Sequence, residues 1–219
     1  MRDTTHRLVT FDLDGTLVDS LGDLADSMNA VLARLGHPSH PRAAYRRFVG
    51  DGIVMLAERA LPAGARRDER IAECVTAMRA EYATRQTATT RPFQGIPEVL
   101  SELRSRKVLT AVLSNKPDGP SREIVDALLG FHPFDIVRGA RPDVPLKPDP
   151  TAALEIAARL GVEAQEAVFV GDTNIDMRTG RAAGMTAVGV TWGFRDEHDL
   201  ISGGAHQVIH HPAELLALV

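Results

Sequence analysis

Leu8-Val9-Thr10-Phe11-Asp12-Leu13-Asp14-Gly15-Thr16-Leu17-Val18-Asp19-Ser20 is the stretch on which the reading of the fold turns. A short apolar run stops at Asp12, a second carboxylate follows two residues on, and the chain then turns at Gly15. Runs of this kind, without strict alternation, suit strands buried on both faces of a parallel sheet. Asp and Gly favour turns in any case, but two carboxylates crowded at a strand end repel. A divalent cation, protonation of one of them, or solvent must compensate.

The pattern returns along the chain. Val108–Leu113 runs into Ser114, Ala167–Val170 into Gly171 and Thr186–Val190 into Thr191, with a weaker run at Phe134–Val137. Between them lie segments of helical period, Ile96–Arg106, Ser121–Leu129, Thr151–Leu160 and Thr173–Ala183. Gly130, Gly161 and Gly184 stand where helix ends prefer glycine. Strands alternating with helices predict an α/β fold, a doubly wound, Rossmann-like parallel sheet whose ligands bind at the carboxyl ends of the strands. From Ser20 to Arg91 the rhythm breaks. Leu21–Leu35, Ile53–Ala60 and Arg67–Tyr82 read as helices, the last with Ile71, Val75, Met78 and Tyr82 in one stripe. The expected division is an α/β domain of residues 1–19 and 92–219, with a helical subdomain, residues 20–91, inserted after the first strand.

The 219 residues suit one domain with an insertion. With 25 Lys+Arg against 29 Asp+Glu the net charge is −4, which excludes a basic nucleic-acid footprint. No apolar run approaches the roughly 20 residues that cross a bilayer, and Met1–His6 lacks the apolar core of a signal peptide. A cytoplasmic protein with no nucleic-acid or membrane partner is expected, either a monomer or a homodimer. The single cysteine, Cys74, excludes an internal disulfide framework and a thiolate zinc site, and its spacing with Ile71, Val75 and Met78 places it in a core. The eight histidines show no metal spacing; His210-His211 reads as a surface pair at a strand end, and Trp192 as packing under a site edge. Only Lys107, Lys116 and Lys147 are lysines in this arginine-rich chain, so each weighs more.

Four polar constellations fall at or beside strand ends. Asp12-Leu13-Asp14 is the first. Ser114-Asn115-Lys116 offers a hydroxyl and backbone N–H groups able to hold a phosphate oxygen. Leu146-Lys147-Pro148-Asp149-Pro150 fixes a lysine between apolar residues and prolines, where it can face an anion. In Gly171-Asp172-Thr173-Asn174-Ile175-Asp176 two acids lie four residues apart on the first turn of a helix, where N-capping also accounts for either one. Taken together on one sheet edge, an all-oxygen acid cluster is a hard-cation site suited to Mg²⁺, and lysine, hydroxyl and backbone donors around it describe phosphoryl transfer.

The combination resembles the four motifs of the haloacid dehalogenase (HAD) superfamily phosphatases. Asp12-Leu13-Asp14-Gly15-Thr16 matches the first, Ser114 the second, Lys147 the third and Gly171–Asp176 the fourth. Ser114-Asn115-Lys116-Pro117, Val144–Pro150 and Val190-Thr191-Trp192-Gly193-Phe194 are similar to the phosphoglycolate phosphatase branch. The inserted helices then correspond to a cap domain, and Val49-Gly50-Asp51-Gly52 to the cap loop that reaches the substrate.

The resemblance implies hydrolysis of a small phosphorylated metabolite, 2-phosphoglycolate first, with Asp12 as nucleophile and Asp14 as general acid and base. It implies Mg²⁺ on the carboxylates of Asp12 and Asp172, the backbone carbonyl of Asp14, and Asp176 directly or through water. Lys147, Gly15, Thr16, Ser114 and Asn115 would hold phosphate; Gly50, Asp51, Gly52 and Arg46 (or Arg47) would meet the rest of the substrate. Pyrophosphate and sugar-phosphate hydrolases or mutases remain rivals within the superfamily. A cap-lysine Schiff base is eliminated because residues 17–106 contain no lysine. A phospho-accepting receiver domain also gathers acids, a hydroxyl and a lysine, but has no helical insert of this size and no need of Asp14.

Overall fold

The computed structural model describes residues 6–219, so the leader reading of the first residues falls largely outside the described chain. In chain order, β1 (Leu8–Phe11) is followed by the short β2 (Val18–Asp19) and the helices α1 (Leu21–Arg34), α2 (Arg42–Phe48), α3 (Ile53–Ala60) and α4 (Asp68–Ala83). The chain returns through β3 (Arg91–Pro92) to α5 (Ile96–Ser105), β4 (Leu109–Pro117), α6 (Asp118–Leu129) and β5 (Ile136–Ala140). It ends with α7 (Thr151–Arg159), β6 (Ala167–Gly171), α8 (Asn174–Ala182), β7 (Thr186–Val190), α9 (Glu197–Gly203) and β8 (Gln207–Ile209).

Among the described residues one six-stranded parallel sheet runs in the order β5-β4-β1-β6-β7-β8. The chain steps outward through β4 to β5, then crosses back and continues from the other side of β1. The direction therefore reverses at β1, where open α/β sheets bind ligands. All four residues of β1 are buried, because helices cover both faces. Val9 and Phe11 pack with α5 and α6, whereas Leu8 packs with Ala153 and Ile156 of α7. The expected α/β class is thus observed, with Thr186–Val190 and Ile53–Ala60 at their expected bounds.

Three expectations shift. Gly161 and Gly184 adopt the left-handed conformation after their helices. Gly130, in contrast, stays right-handed (φ −59°) and ends α6 without that motif. The weak run at Phe134–Val137 pairs later, over Ile136–Ala140. Helices α2 and α9 come from polar stretches with no apolar stripe; Tyr45 is the one residue of α2 that is buried.

The two chain crossings between the sheet and helices α1–α4 run side by side, with Val18 opposite Pro92 and Asp19 opposite Arg91. Asp23 fastens them. Its buried carboxylate accepts hydrogen bonds from the backbone N–H and hydroxyl groups of both Thr89 and Thr90, at 2.6–3.0 Å. Burial would raise its pKa, but these donors outweigh it and hold the carboxyl below its ordinary value. Inside the helical segment, Met28, Cys74 and Met78 are buried in one apolar cluster, as the stripe in α4 predicts.

Candidate active site

The carboxyl ends of β1 and β6 bring Asp12 and Asp172 side by side, since Phe11 is in register with Val170. Asp176 joins them from the first turn of α8. There Thr173 caps the helix, and Asp176 Oδ2 accepts from both the backbone and the hydroxyl of Thr173 (3.0 and 2.6 Å). Carboxylate oxygens of Asp12, Asp172 and Asp176 lie within 4.8 Å of one another, all buried. Lys147 enters beneath them: its Nζ is 2.9 Å from Asp12 Oδ1 and 2.7 Å from Asp176 Oδ1.

The electrostatics of this group are unbalanced. Burial pushes the Asp12 carboxyl up to about 7 against the pull of Lys147, with Asp176 adding repulsion. Asp172 is raised well above its ordinary value by burial, then by Asp176 and Asp12. For Lys147, burial acts downward but Asp12 and Asp176 carry it above its usual value, so it stays charged. Lys147 pairs with Asp12 and Asp176 but not with Asp172, so the buried cluster is short of positive charge. A shortage of positive charge among buried, closely spaced carboxylates and a set of hard oxygen donors fit a divalent cation.

Asp14 stands apart from these three carboxylates. Its carboxylate accepts from Ser20 Oγ at 2.6 Å and pairs with Lys116 Nζ at 2.8 Å. That placement keeps its carboxylate out of the acid cluster. Gly15 and Thr16, expected at the phosphate, are committed elsewhere. The N–H of Gly15 donates to Val18 and that of Thr16 to Leu13, while the Thr16 hydroxyl donates to Asp172 Oδ1 at 3.2 Å. They build the turn and steady Asp172, whose other oxygen accepts from Phe194 N at 2.8 Å. Gly15 is required there: its φ is +87° and a Cβ would strike the Asp172 carboxylate. Trp192 braces the same turn, its indole N–H donating to Thr16 O at 3.0 Å.

The Asn115 side chain positions Lys147. Its Oδ1 accepts from Lys147 N (2.9 Å), and its Nδ2 donates to Lys147 O (3.1 Å) and to Gly50 O (3.2 Å). A cavity of about 440 Å³ opens above, reached by Asp12, Asp14, Ser114 and Lys116 from the sheet and by Gly50, Gly52, Ile53 and Tyr82 from the helical segment. Arg46, Arg47 and Asp51 do not line it. Arg47 pairs with Asp196 and Asp199, Asp51 with Arg59 (2.6 Å), and Arg46 donates to Gly193 O. Arg46 and Arg47 clasp the helical segment to the sheet side, together with Arg195, which donates to Arg46 O and to Val49 O (2.9 Å), while Asp51 is paired within the helical segment.

Sequence reasoning missed Lys116, Ser20, Tyr82 and Arg195 as site residues. Lys116 stands in the Ser114-Asn115-Lys116 constellation and is marked by the rarity of lysine, but without a role of its own.

Comparison with known proteins closes the question of kinship. Residues 6–184 match the family model described as haloacid dehalogenase-like hydrolase. The chain belongs to this family. It is 36% identical to a phosphoglycolate phosphatase of Pseudomonas putida over 87% of this chain and 71% of that protein. It is 34% identical to one of Aquifex aeolicus, over 86% of each. Among solved structures, a haloacid dehalogenase-like family hydrolase of Streptococcus pneumoniae superposes with a TM-score of 0.88 at 27% identity, covering 98% of both chains. The haloacid dehalogenase-like fold and the acid cluster thus belong together, and no helix among the described residues is long and apolar enough to cross a membrane.

Proposed function

We propose that this hydrolase is a Mg²⁺-dependent phosphomonoesterase acting on a small phosphorylated metabolite, 2-phosphoglycolate, through an aspartyl-phosphate on Asp12. The observation that carries the reading is the contact of Asp12, which lines the cavity, with Lys147, in a cluster with Asp172 and Asp176. The names of the relatives support the substrate.

Asp12, Asp172, Asp176 and the Asp14 carbonyl would hold the metal, which supplies positive charge against the transferring phosphoryl oxygens. Asp12 attacks phosphorus in line, and Lys147 lowers the repulsion between that carboxylate and the phosphate. Ser114 binds an equatorial oxygen. Asp14, which also lines the cavity, delivers a proton to the leaving alkoxide and then takes one from the water that opens the acyl phosphate. Residues 20–91 act as the cap. The Gly50–Gly52 loop closes over Asn115 and excludes bulk water from the reacting groups.

Release of inorganic phosphate from a panel of 2-phosphoglycolate, sugar phosphates and pyrophosphate tests this. The reading requires turnover that chelation by EDTA abolishes and Mg²⁺ restores, with 2-phosphoglycolate highest in kcat/KM. Undiminished turnover in EDTA removes the metal, and a higher kcat/KM for pyrophosphate or a sugar phosphate removes the substrate.

A further inference from the structure

Lys116 has no part in the mechanism just given, yet its side chain is only 6% exposed and lines the cavity. Its Nζ is 2.8 Å from Asp14 Oδ2 and 3.1 Å from the Tyr82 hydroxyl, and sits 4.5 Å from the centre of the Tyr82 ring. An ammonium has three N–H donors. Asp14 and Tyr82 take two, and the third has no protein acceptor among the described residues. In the proposed mechanism Asp14 meets the leaving oxygen, which puts Lys116, in contact with Asp14, within reach of the group attached to that oxygen. The other walls there are largely apolar, with Leu24, Val49, Ile53, Leu56 and Met78, and carry Gln86 and Glu123 as further polar groups. The cavity's other cationic side chain is Arg79, which is exposed.

Resting on the function proposed above, we infer that Lys116 is the specificity-determining anchor for a carboxylate carried on the carbon next to the ester oxygen. In 2-phosphoglycolate that carboxylate lies two bonds beyond the leaving oxygen, the place Lys116 commands. A charge-assisted hydrogen bond in a largely apolar cavity discriminates strongly against a substrate with a methyl group in that position. Tyr82, from α4, helps hold the ammonium in place, so the anchor is complete only with the helical segment in position.

The test compares kcat/KM for 2-phosphoglycolate and for ethyl phosphate, which replaces the carboxylate by methyl. Lys116→Met should lower the ratio of the two values by about 10- to 100-fold, whatever loss the two substrates share. Arg79→Met should leave the ratio within about threefold. Lys116→Gln keeps a donor and removes the charge, and it repeats the measurement should the methionine variant not fold. An equal loss on both substrates would make Lys116 a support for Asp14 alone and overturn the anchor, as would a selective loss in Arg79→Met. Wild-type protein that hydrolyses neither ester would instead overturn the phosphatase reading.

Discussion

Lys147 Nζ lies 2.9 Å from Asp12 Oδ1, making the ammonium the direct counter-charge of the proposed nucleophile. Asp12 and Asp176 share that cation, so its removal leaves them mutually exposed. Lys147→Met should lower kcat by at least about 100-fold, the scale for deleting one preorganised electrostatic contact. Steady-state phosphate release measures it. A loss confined to KM would show that Lys147 serves binding only.

The same charge imbalance predicts linkage between metal and stability. Mg²⁺ at 100 times its Kd should raise the unfolding free energy by about 2.7 kcal/mol. Asp172→Asn, which weakens the cluster, should lose most of that increment. Thermal melts with and without Mg²⁺ read the effect, and equal shifts in both proteins would place the metal elsewhere.

Asp23 offers a prediction away from the site. Replacing it by Asn removes an anion that four donor groups of Thr89 and Thr90 are arranged to meet, at a cost of about 2–4 kcal/mol. Its folded pKa lies below the unfolded value of about 3.9. The stability it contributes is therefore complete above that unfolded value and is lost as pH falls through the lower folded one. Urea midpoints should separate wild type from Asp23→Asn fully near neutral pH and converge in strong acid. A gap that widened as the pH fell would contradict the sign.

Gly15→Ala should disable the site by geometry alone. The new methyl meets the Asp172 carboxylate at a backbone conformation of φ +87°, where a Cβ costs about 1–2 kcal/mol even without the collision. Loss of Mg²⁺ affinity by calorimetry, in a protein that still folds, is the expected outcome; wild-type affinity would show that Asp172 does not hold the ion.

What the sequence made legible follows from burial. β1, β6 and β7 read directly because helices cover both faces, so their residues are apolar almost without interruption. The acids at their ends were visible as charges placed against that background. Lys116 was not, because it occurs inside a strand-end segment where a lysine ordinarily turns to solvent. Its partner Tyr82 lies 34 positions away, on a helix where the apolar stripe already accounted for it. Arg46 and Arg47 misled for a related reason: a guanidinium near a glycine loop suits a substrate carboxylate and a carbonyl clasp equally well, and only the three-dimensional placement of Gly193, Asp196 and Asp199 decides between them.

The account stands on Asp12 forming a bond to phosphorus. Enzyme quenched during turnover of 2-phosphoglycolate with Mg²⁺ and reduced with borohydride, which converts an aspartyl-phosphate to homoserine, should show that conversion at position 12 by peptide mass spectrometry. It should be absent when EDTA is present. Rapid turnover with Asp12 unmodified, or with the label at another carboxylate, would contradict it.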